Sequence, residues 1–314
     1  MKILITGLHG FVGSNLTKSL KNQHIIYALD IISPQKEGVE RTFSWLDIEE
    51  NKIPEVDTII HLAGKAHDTK NQSKAQVYFD INTGLTQKIY DYFLHSSANK
   101  FIFFSSVKAA ADTVPGEVLT EDVVPNPQGP YGESKILAEK YILEHLPAPE
   151  TGKTVIIFRP CMIHGFGNKG NLNLLYQVVR KGIPWPLGAF ENKRSFASVD
   201  NVSFVIGKLL TSKVESGIYH MADDEALSTN ELINVMCEAM GRKARILYLP
   251  KKMMIVSANI GGIFHLPLNS ERLHKLTENY VVSNSKLKKA LGLEQLPVTA
   301  REGIKRTIYS FNKK

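Results

Sequence analysis

Tyr131 and Lys135 stand four residues apart in the run Tyr131-Gly132-Glu133-Ser134-Lys135, just ahead of an apolar pattern of helical period (Ile136, Leu137, Tyr141, Ile142). Residues four apart share one face of a helix. An ammonium beside a phenol favours the ionised form, because opposite charge stabilises charge. A tyrosine eased toward ionisation can take a proton from a substrate hydroxyl or return one. A solvated helix face would carry the same two residues, so the pair gains meaning only if the rest of the chain builds a reaction site around it.

The elements that would position the pair begin at the N-terminus. Lys2 to Thr6 is an apolar, β-branched run closed by Gly7, which reads as a buried strand. Gly7-Leu8-His9-Gly10-Phe11-Val12-Gly13 follows, then a helical pattern through Leu16 and Leu20, then a strand from His24 to Leu29 ending at Asp30. Strand, glycine turn, helix, strand, acid is the order of a dinucleotide-binding βαβ unit. Glycines let the backbone approach a pyrophosphate, and the helix start offers free N–H groups to it. An acid at the end of the second strand accepts bonds from ribose hydroxyls and repels a 2′-phosphate. Asp30 therefore favours NAD over NADP, and the spacing is G-x-x-G-x-x-G.

Further strands are expected at Phe43 to Leu46 (ending at Asp47), Val56 to Leu62, Phe101 to Phe104 (ending in Ser105-Ser106) and Val155 to Phe158 (ending at Arg159-Pro160). A helix is expected from about Gln72 to Ser97, and a Pro/Gly-containing loop, Thr113 to Pro130, leads into the Tyr131 helix. Alternating strands and helices imply an α/β protein: a Rossmann-type, doubly wound parallel sheet covered on both faces. Ligands of such sheets bind beyond the carboxyl ends of the strands. Gly7, Asp30, Asp47, Gly64, Ser105, Ser106 and Arg159-Pro160 all fall there, so they should converge on one crevice.

Beyond Pro160 the pattern is mixed. A loop at 164–171 precedes a helix (Leu172 to Lys181) and a Pro/Gly-rich segment (182–188). Arg194 to Val199 reads as a strand, Asp200 as the N-cap of a helix to about Thr211, and Ile218 to Met221 as a short strand. Ser228 and Glu231 have capping-box spacing. Arg245 to Leu249, a helix at Lys251 to Ile260, Ser283 to Leu291 and Val298 to Ser310 complete the region. The expected division is an NAD(P)-binding domain over 1–165, to which 195–221 returns, and a smaller mixed α/β substrate-binding domain over 166–194 and 222–314.

Composition sets the outer bounds. The 314 residues are 43% hydrophobic and 22% charged, a globular balance with ample length for a core. No run of about 18 uncharged apolar residues suggests a membrane span. The N-terminus lacks the apolar region of a signal peptide, so a cytoplasmic protein is expected. Cys161 and Cys237 match no metal-ligand spacing, no metal is expected, and both read as core thiols. The net charge of +7 is spread along the chain, which points to a solvated surface and an anionic small-molecule substrate, not to nucleic acid.

Taken together, the motifs resemble the extended short-chain dehydrogenase/reductase family, in its nucleotide-sugar epimerase/dehydratase branch. The matching residues are Thr6-Gly7-x-x-Gly10-x-x-Gly13, Asp30, Asp47, His61-Leu62-Ala63-Gly64, Asn82, Ser105-Ser106, Tyr131-x-x-x-Lys135, Arg159-Pro160, Gly165-x-Gly167 and Arg194-Ser195-Phe196-x-x-Val199-Asp200. Ser283-Asn284-Ser285-Lys286 looks like the family's late signature. The loop before Tyr131 and the run Phe166 to Asn171 look like a bacterial subgroup classed with UDP-glucose 4-epimerases and linked to surface polysaccharide synthesis.

The resemblance implies roles by position. Gly7, Gly10, Phe11, Val12 and Gly13 lie at the pyrophosphate, Asp30 at the adenosine ribose, Asp47 and Ile48 at the adenine. Leu62, Ala63, Gly64, Ser105 and Pro160 line the cofactor, and Lys135 holds the nicotinamide ribose. Ser106 bonds the reacting sugar hydroxyl and Tyr131 exchanges its proton, with the Tyr131 pKa lowered by Lys135 and the cationic nicotinamide. Asn171, Arg194 and Arg272 are implied at the nucleotide diphosphate. Tyr280 falls by its spacing at the position that limits the sugar pocket, where its bulk favours plain hexoses. Gly64 stands where the family has a second Ala, Lys65 is unusual beside it, and His164 replaces a common Tyr.

The implied activity is an NAD-dependent UDP-hexose or UDP-N-acetylhexosamine 4-epimerase working through a 4-keto sugar. The alternative is an NAD(P)H-dependent nucleoside-diphosphate 4-keto-6-deoxysugar reductase, which needs the same residues. A dehydratase is disfavoured, because Val107 and Lys108 stand where such enzymes place an Asp-Glu pair. A non-catalytic dinucleotide sensor would have lost the Tyr/Lys pair that is present here. A homodimer is implied, packed through the Tyr131 helix and the helix before the fifth strand.

Overall fold

The computed structural model describes residues 1–66, 74–168, 170–263 and 268–312. In chain order the elements are β1 (Lys2–Thr6), α1 (Phe11–Leu20), β2 (Ile25–Leu29), β3 (Arg41–Phe43), α2 (Leu46–Glu49), β4 (Thr58–His61) and α3 (Ala75–Tyr78). A π-helical turn (Phe79–Gly84) joins α3 to α4 (Leu85–His95), followed by β5 (Lys100–Phe104), α5 (Gly129–Glu144), β6 (Thr154–Pro160), β7 (Met162–His164) and α6 (Asn171–Arg180). The rest is β8 (Phe196–Ser198), α7 (Val199–Thr211), β9 (Gly217–Met221), α8 (Thr229–Ala239), α9 (Lys251–Ile263), α10 (Ser270–Thr277), α11 (Ser285–Leu291) and α12 (Ala300–Asn312).

Seven strands form one parallel sheet in the order β3-β2-β1-β4-β5-β6-β9, and β7 pairs with β8 beside it. The central strands are apolar without a break because both faces are covered. Side chains alternate between the two faces at the strand period of two. Ile3, Ile5, Ile60, Ile102 and Ile156 join a core with α1 and α7, while Leu4, Ile59, Phe101, Phe103, Val155 and Ile157 join a core with α4 and α5. A third apolar cluster gathers α6, α8, α9, α10 and α12 around Trp185, Leu187 and Phe196. The ladder register brings Thr6 beside Leu29 and His61, His61 beside Phe103, and Pro160 beside Met221, so the carboxyl ends of these strands share one edge.

Three local expectations change. The strand expected at Phe43 to Leu46 lies earlier, at Arg41–Phe43, and Asp47 sits inside the short helix α2. Its carboxylate accepts from the Ser44 backbone N–H and hydroxyl, a local bond that favours a turn over an extended chain. The cap of α7 is Ser198, whose hydroxyl accepts from the Asn201 N–H, and Asp200 belongs to the first turn. The long helix expected from Gln72 is interrupted by the π turn, and its proposed start lies outside the described residues. The capping box of Ser228 and Glu231 is present as read.

Candidate active site

The glycine turn is a cradle that side chains would fill. Gly7 has φ +65, and a Cβ there would come within 2.8 Å of the Ala63 backbone. A Cβ on Gly13 would collide with the Leu8 carbonyl, so α1 packs close against the turn. Gly10 caps α1 in an extended conformation with no side chain on the helix start. The first N–H groups of α1 therefore have no intrahelical acceptor and face outward, the arrangement that receives a phosphate. The Asp30 carboxylate, at the end of β2, accepts from the His9 N–H at 3.0 Å and the Ile31 N–H at 2.7 Å. It thus holds the turn and stands at its mouth. These residues fit the pyrophosphate and ribose of a dinucleotide.

Beside the cradle, a buried polar chain fixes the loop after β4. The Leu62 and Ala63 N–H groups donate to the Thr6 hydroxyl at 3.2 and 3.0 Å, and Thr6 meets His61 Nδ1 at 2.6 Å. His61 Nε2 meets the Thr86 hydroxyl at 2.9 Å, and Thr86 donates to the Asn82 carbonyl at 2.6 Å. Thr86 has spent its proton on Asn82, so His61 must donate from Nε2 and accept at Nδ1. This assigns the tautomer, and burial together with the nearby Lys135 charge holds the imidazole neutral by lowering its pKa. Asn82, in the π turn, accepts from the Lys65 N–H at 2.7 Å and donates to the Ser134 hydroxyl at 2.9 Å. That ties the 62–66 loop to the start of α5. A Cβ on Gly64 would sit 3.0 Å from Asn82 Oδ1 and 3.2 Å from Lys135 Nζ, so the missing methyl leaves room for the lysine.

The candidate catalytic residues lie at the next strand end. The Ser106 side chain lies close enough to the Tyr131 hydroxyl to act on its pKa. Burial pushes the Tyr131 pKa up, Ser106 opposes this, and Tyr78 adds a smaller upward push. In the free chain the Tyr131 pKa is therefore raised, whereas the lowering is expected of the site loaded with the cationic nicotinamide. The Lys135 ammonium is buried and donates to the Phe104 carbonyl at 2.8 Å. Desolvation lowers its pKa to about 8, with Glu139 opposing the shift.

Glu139 had no role in the sequence reading. It is fully buried, accepts from the Ser105 hydroxyl, and takes the Arg159 guanidinium in a bidentate grip (Nε at 2.9 and 3.1 Å, Nη2 at 2.5 Å). It lies four residues after Lys135, on the same helical face, and that spacing was the available signal. Ser105 and Arg159-Pro160 thus belong to one buried support behind Ser106, and Pro160 closes β6 against Met221.

The opposite wall comes from the later chain. Arg194 is bridged to Leu227 and to Tyr280, its guanidinium donates to the Lys275 carbonyl, and it lies 3.5 Å from Glu278. Tyr280 is buried, donates to the Ala111 carbonyl at 2.7 Å, and carries Lys108 over its ring at 4.6 Å. Lys108 in turn pairs with Asp112 at 3.0 Å. Asp223 and Arg194 act on the Cys161 thiol, and Cys161 acts on the Tyr280 phenol, which places them around the end of β6. His164 is buried and bonded to Thr307 of α12 at 2.8 Å, so it supports α12. Arg272 lies exposed on α10, and Asn171 opens α6, its side chain lying outside the described residues. Asp47 and Ile48 sit at the far end near β3, with Ile48 buried in the core. Among the described residues no cluster could hold a metal ion, and no helix is long and apolar enough to cross a membrane.

Comparison with known proteins agrees with this geometry. The model of the NAD dependent epimerase/dehydratase family matches residues 3–222. A UDP-glucose 4-epimerase of Vibrio cholerae is 30% identical over 321 residues, covering 98% of this chain and 95% of that protein. An N-acetyl-alpha-D-glucosaminyl-diphospho-ditrans,octacis-undecaprenol 4-epimerase of Escherichia coli O157:H7 is 26% identical with the same coverage. The solved UDP-glucuronic acid 4-epimerase of Bacillus cereus, in complex with NAD, superposes with a TM-score of 0.76 at 19% identity, over 100% of this chain and 97% of that one. At that identity the likeness speaks for the shared fold.

Proposed function

Because the chain belongs to the NAD dependent epimerase/dehydratase family, we propose that it is a nucleotide-sugar 4-epimerase that acts on a UDP-hexose or UDP-N-acetylhexosamine and retains its NAD. The observation that carries this reading is the meeting of Ser106, Tyr131 and Lys135 at the strand end beside the glycine cradle. The full-length similarity to a UDP-glucose 4-epimerase supports the sugar class.

In this reading Phe11 and Val12 offer their N–H groups to the pyrophosphate, and Asp30 accepts from the ribose hydroxyls. Asp47 lies toward the adenine. Lys135 donates to the nicotinamide ribose from a site that Gly64 leaves open. NAD⁺, when bound, would supply a reversible hydride acceptor for carbon 4 of the sugar. Ser106 orients the 4-hydroxyl, and Tyr131 takes its proton as the carbon–hydrogen bond breaks, leaving a 4-keto sugar. In the free chain burial keeps the phenol protonated, and positive charge brought beside it on binding lowers its pKa toward the working pH. After the keto sugar turns over, Tyr131 returns the proton to the oxygen. Arg194 supplies charge to the nucleotide diphosphate from the opposite wall, and Tyr280 bounds the sugar.

The test is incubation of the purified protein with UDP-glucose and, separately, UDP-N-acetylglucosamine, with no added cofactor. The expected result is interconversion of each sugar with its 4-epimer. Turnover that begins only when NAD(P)H and a 4-keto sugar are supplied would replace this reading with a reductase.

A further inference from the structure

From Ala239 to Ser270 the chain contains no Asp or Glu, although 31 acids among 314 residues would place about three in a stretch of that length. The same stretch carries Arg242, Lys243, Arg245, Lys251 and Lys252. It also carries α9, which has two apolar faces. Met254 and Ala258 pack into the third core cluster, as the inner face of a surface helix should. The outer face should then be polar. Here it is Met253, Val256 and Ile260, which are 46%, 56% and 48% exposed, with Lys252 on the same side and Ile255 at its margin. Leu247 and Tyr248 extend the exposed apolar surface just before the helix, Tyr248 being 71% exposed. Large apolar side chains exposed together on one helix face mark an interaction site.

We infer that this face docks on an anionic lipid bilayer surface, with α9 lying in the interface plane. The charge pattern chooses the occupant. Apolar side chains that enter a headgroup layer, on a stretch of chain whose five cations have no acid among them in sequence, match a negatively charged membrane, and Glu271, which α10 brings beside Asn259 of α9, is paired with Lys275 at 2.6 Å. A second protein copy would bring the same five cations against themselves. Tyr248 suits the boundary, since a tyrosine has an apolar body and a polar tip. A cavity of about 450 Å³ lined by Val178, Ile183, Trp185, Arg242, Lys243 and Arg245 opens between α6 and the segment that leads to α9. The Arg242 guanidinium donates to the Arg180 carbonyl, which holds its charge at this surface. α9 also packs against α10, which supplies the Lys275 carbonyl that holds Arg194. The inference rests on this surface and not on the epimerase reading.

The experiment is co-sedimentation of the full chain with vesicles of phosphatidylcholine alone and of phosphatidylcholine mixed with phosphatidylglycerol, at low and high salt. Binding to the anionic vesicles, weakened by salt, is expected. Changing Lys251→Ala and Lys252→Ala together should weaken it roughly 25-fold, about fivefold per lysine. Val256→Glu with Ile260→Glu should abolish it, and both positions are exposed enough to leave the core intact. Sugar turnover in solution should be unchanged in both variants. The inference is overturned if the unmodified chain fails to sediment with anionic vesicles. It is equally overturned if the Val256/Ile260 variant binds as well as the unmodified chain. Light scattering that shows a dimer lost in that variant, without vesicle binding, would reassign the face to a second copy.

Discussion

At the carboxyl edge of the sheet, Thr6, His61, Thr86 and Asn82 close a chain of buried hydrogen bonds, and Glu139 joins Ser105 to Arg159. Across the crevice, Arg194 and Tyr280 are joined by single bridges and by contacts from exposed or half-buried segments. The first region is held by the ladder and by low-dielectric bonds that exist before any ligand arrives. The second is held by a few links between stretches far apart in sequence. On the proposed reading, the chemistry sits on the rigid edge and the substrate is selected by the wall that a few substitutions can reshape.

The largest expected effect tests the rigid edge directly. Tyr131→Phe removes the proton acceptor and leaves the packing, so kcat should fall by about 10³-fold, within the range for loss of a general acid–base. Retained NAD, measured by nucleotide release on denaturation, should be unchanged. Loss of nucleotide together with activity would mean that Tyr131 shapes the cofactor site more than it moves a proton.

The comparison itself is put at risk by two changes made in parallel. Glu139→Ala strands the buried Arg159 charge, and breaking a buried pair costs about 3–5 kcal/mol. Arg194→Ala removes a long pair at 3.5 Å, with side chains 20% and 12% exposed, and the bond to the Lys275 carbonyl, and should cost less, about 1–2 kcal/mol of stability. Urea unfolding with the nucleotide content matched measures both. Similar losses for the two would dissolve the distinction between edge and wall.

The same distinction decided what could be read in the sequence. Gly7, Asp30, Ser106 and Tyr131 are legible because strands end where apolar runs end, and a parallel sheet brings those ends to one edge. The fold class follows from the same alternation. Glu139 was within reach, since four residues of helix separate it from Lys135. Thr86 was not, because nothing local in the sequence pairs a threonine on α4 with a histidine on β4. Asp47 was placed at a strand end because a short apolar run has no period to tell a strand from a helical turn. The contacts of Tyr280 with Ala111 and Lys108 depend on loops that meet only in the folded chain.

Lys135 offers a smaller effect with a sign that can be worked out. Its folded pKa of about 8 lies below the ordinary lysine value, so the folded state disfavours the bound proton. Below pH 8 the charged amine is buried and its desolvation weakens the fold in full. As pH rises from 8 toward the unfolded value the proton is lost in the folded state first, and the penalty is relieved. Lys135→Met should therefore stabilise the chain at pH 7 by about 2 kcal/mol, after allowing for the lost bond to the Phe104 carbonyl. The gain should shrink above pH 8, and turnover should collapse. Thermal unfolding at several pH values measures it, and a destabilised variant at pH 7 would show that the hydrogen bond outweighs the desolvation.

On the substrate wall, Tyr280 is the place where a small structural loss should change selection most. Its ring is buried and its hydroxyl is fixed on the Ala111 carbonyl, so it presents a rigid boundary beside Lys108. Tyr280→Phe loses one neutral hydrogen bond, worth about 1 kcal/mol, and keeps the boundary. Substrate preference should not move. Tyr280→Ser removes the ring and should raise kcat/KM for UDP-N-acetylglucosamine relative to UDP-glucose by about tenfold, the scale of added room in an apolar pocket. Measuring both sugars on both variants separates bulk from bonding. An unchanged ratio in Tyr280→Ser would remove Tyr280 from the boundary of the sugar and leave it as a brace between Ala111 and the bridge to Arg194.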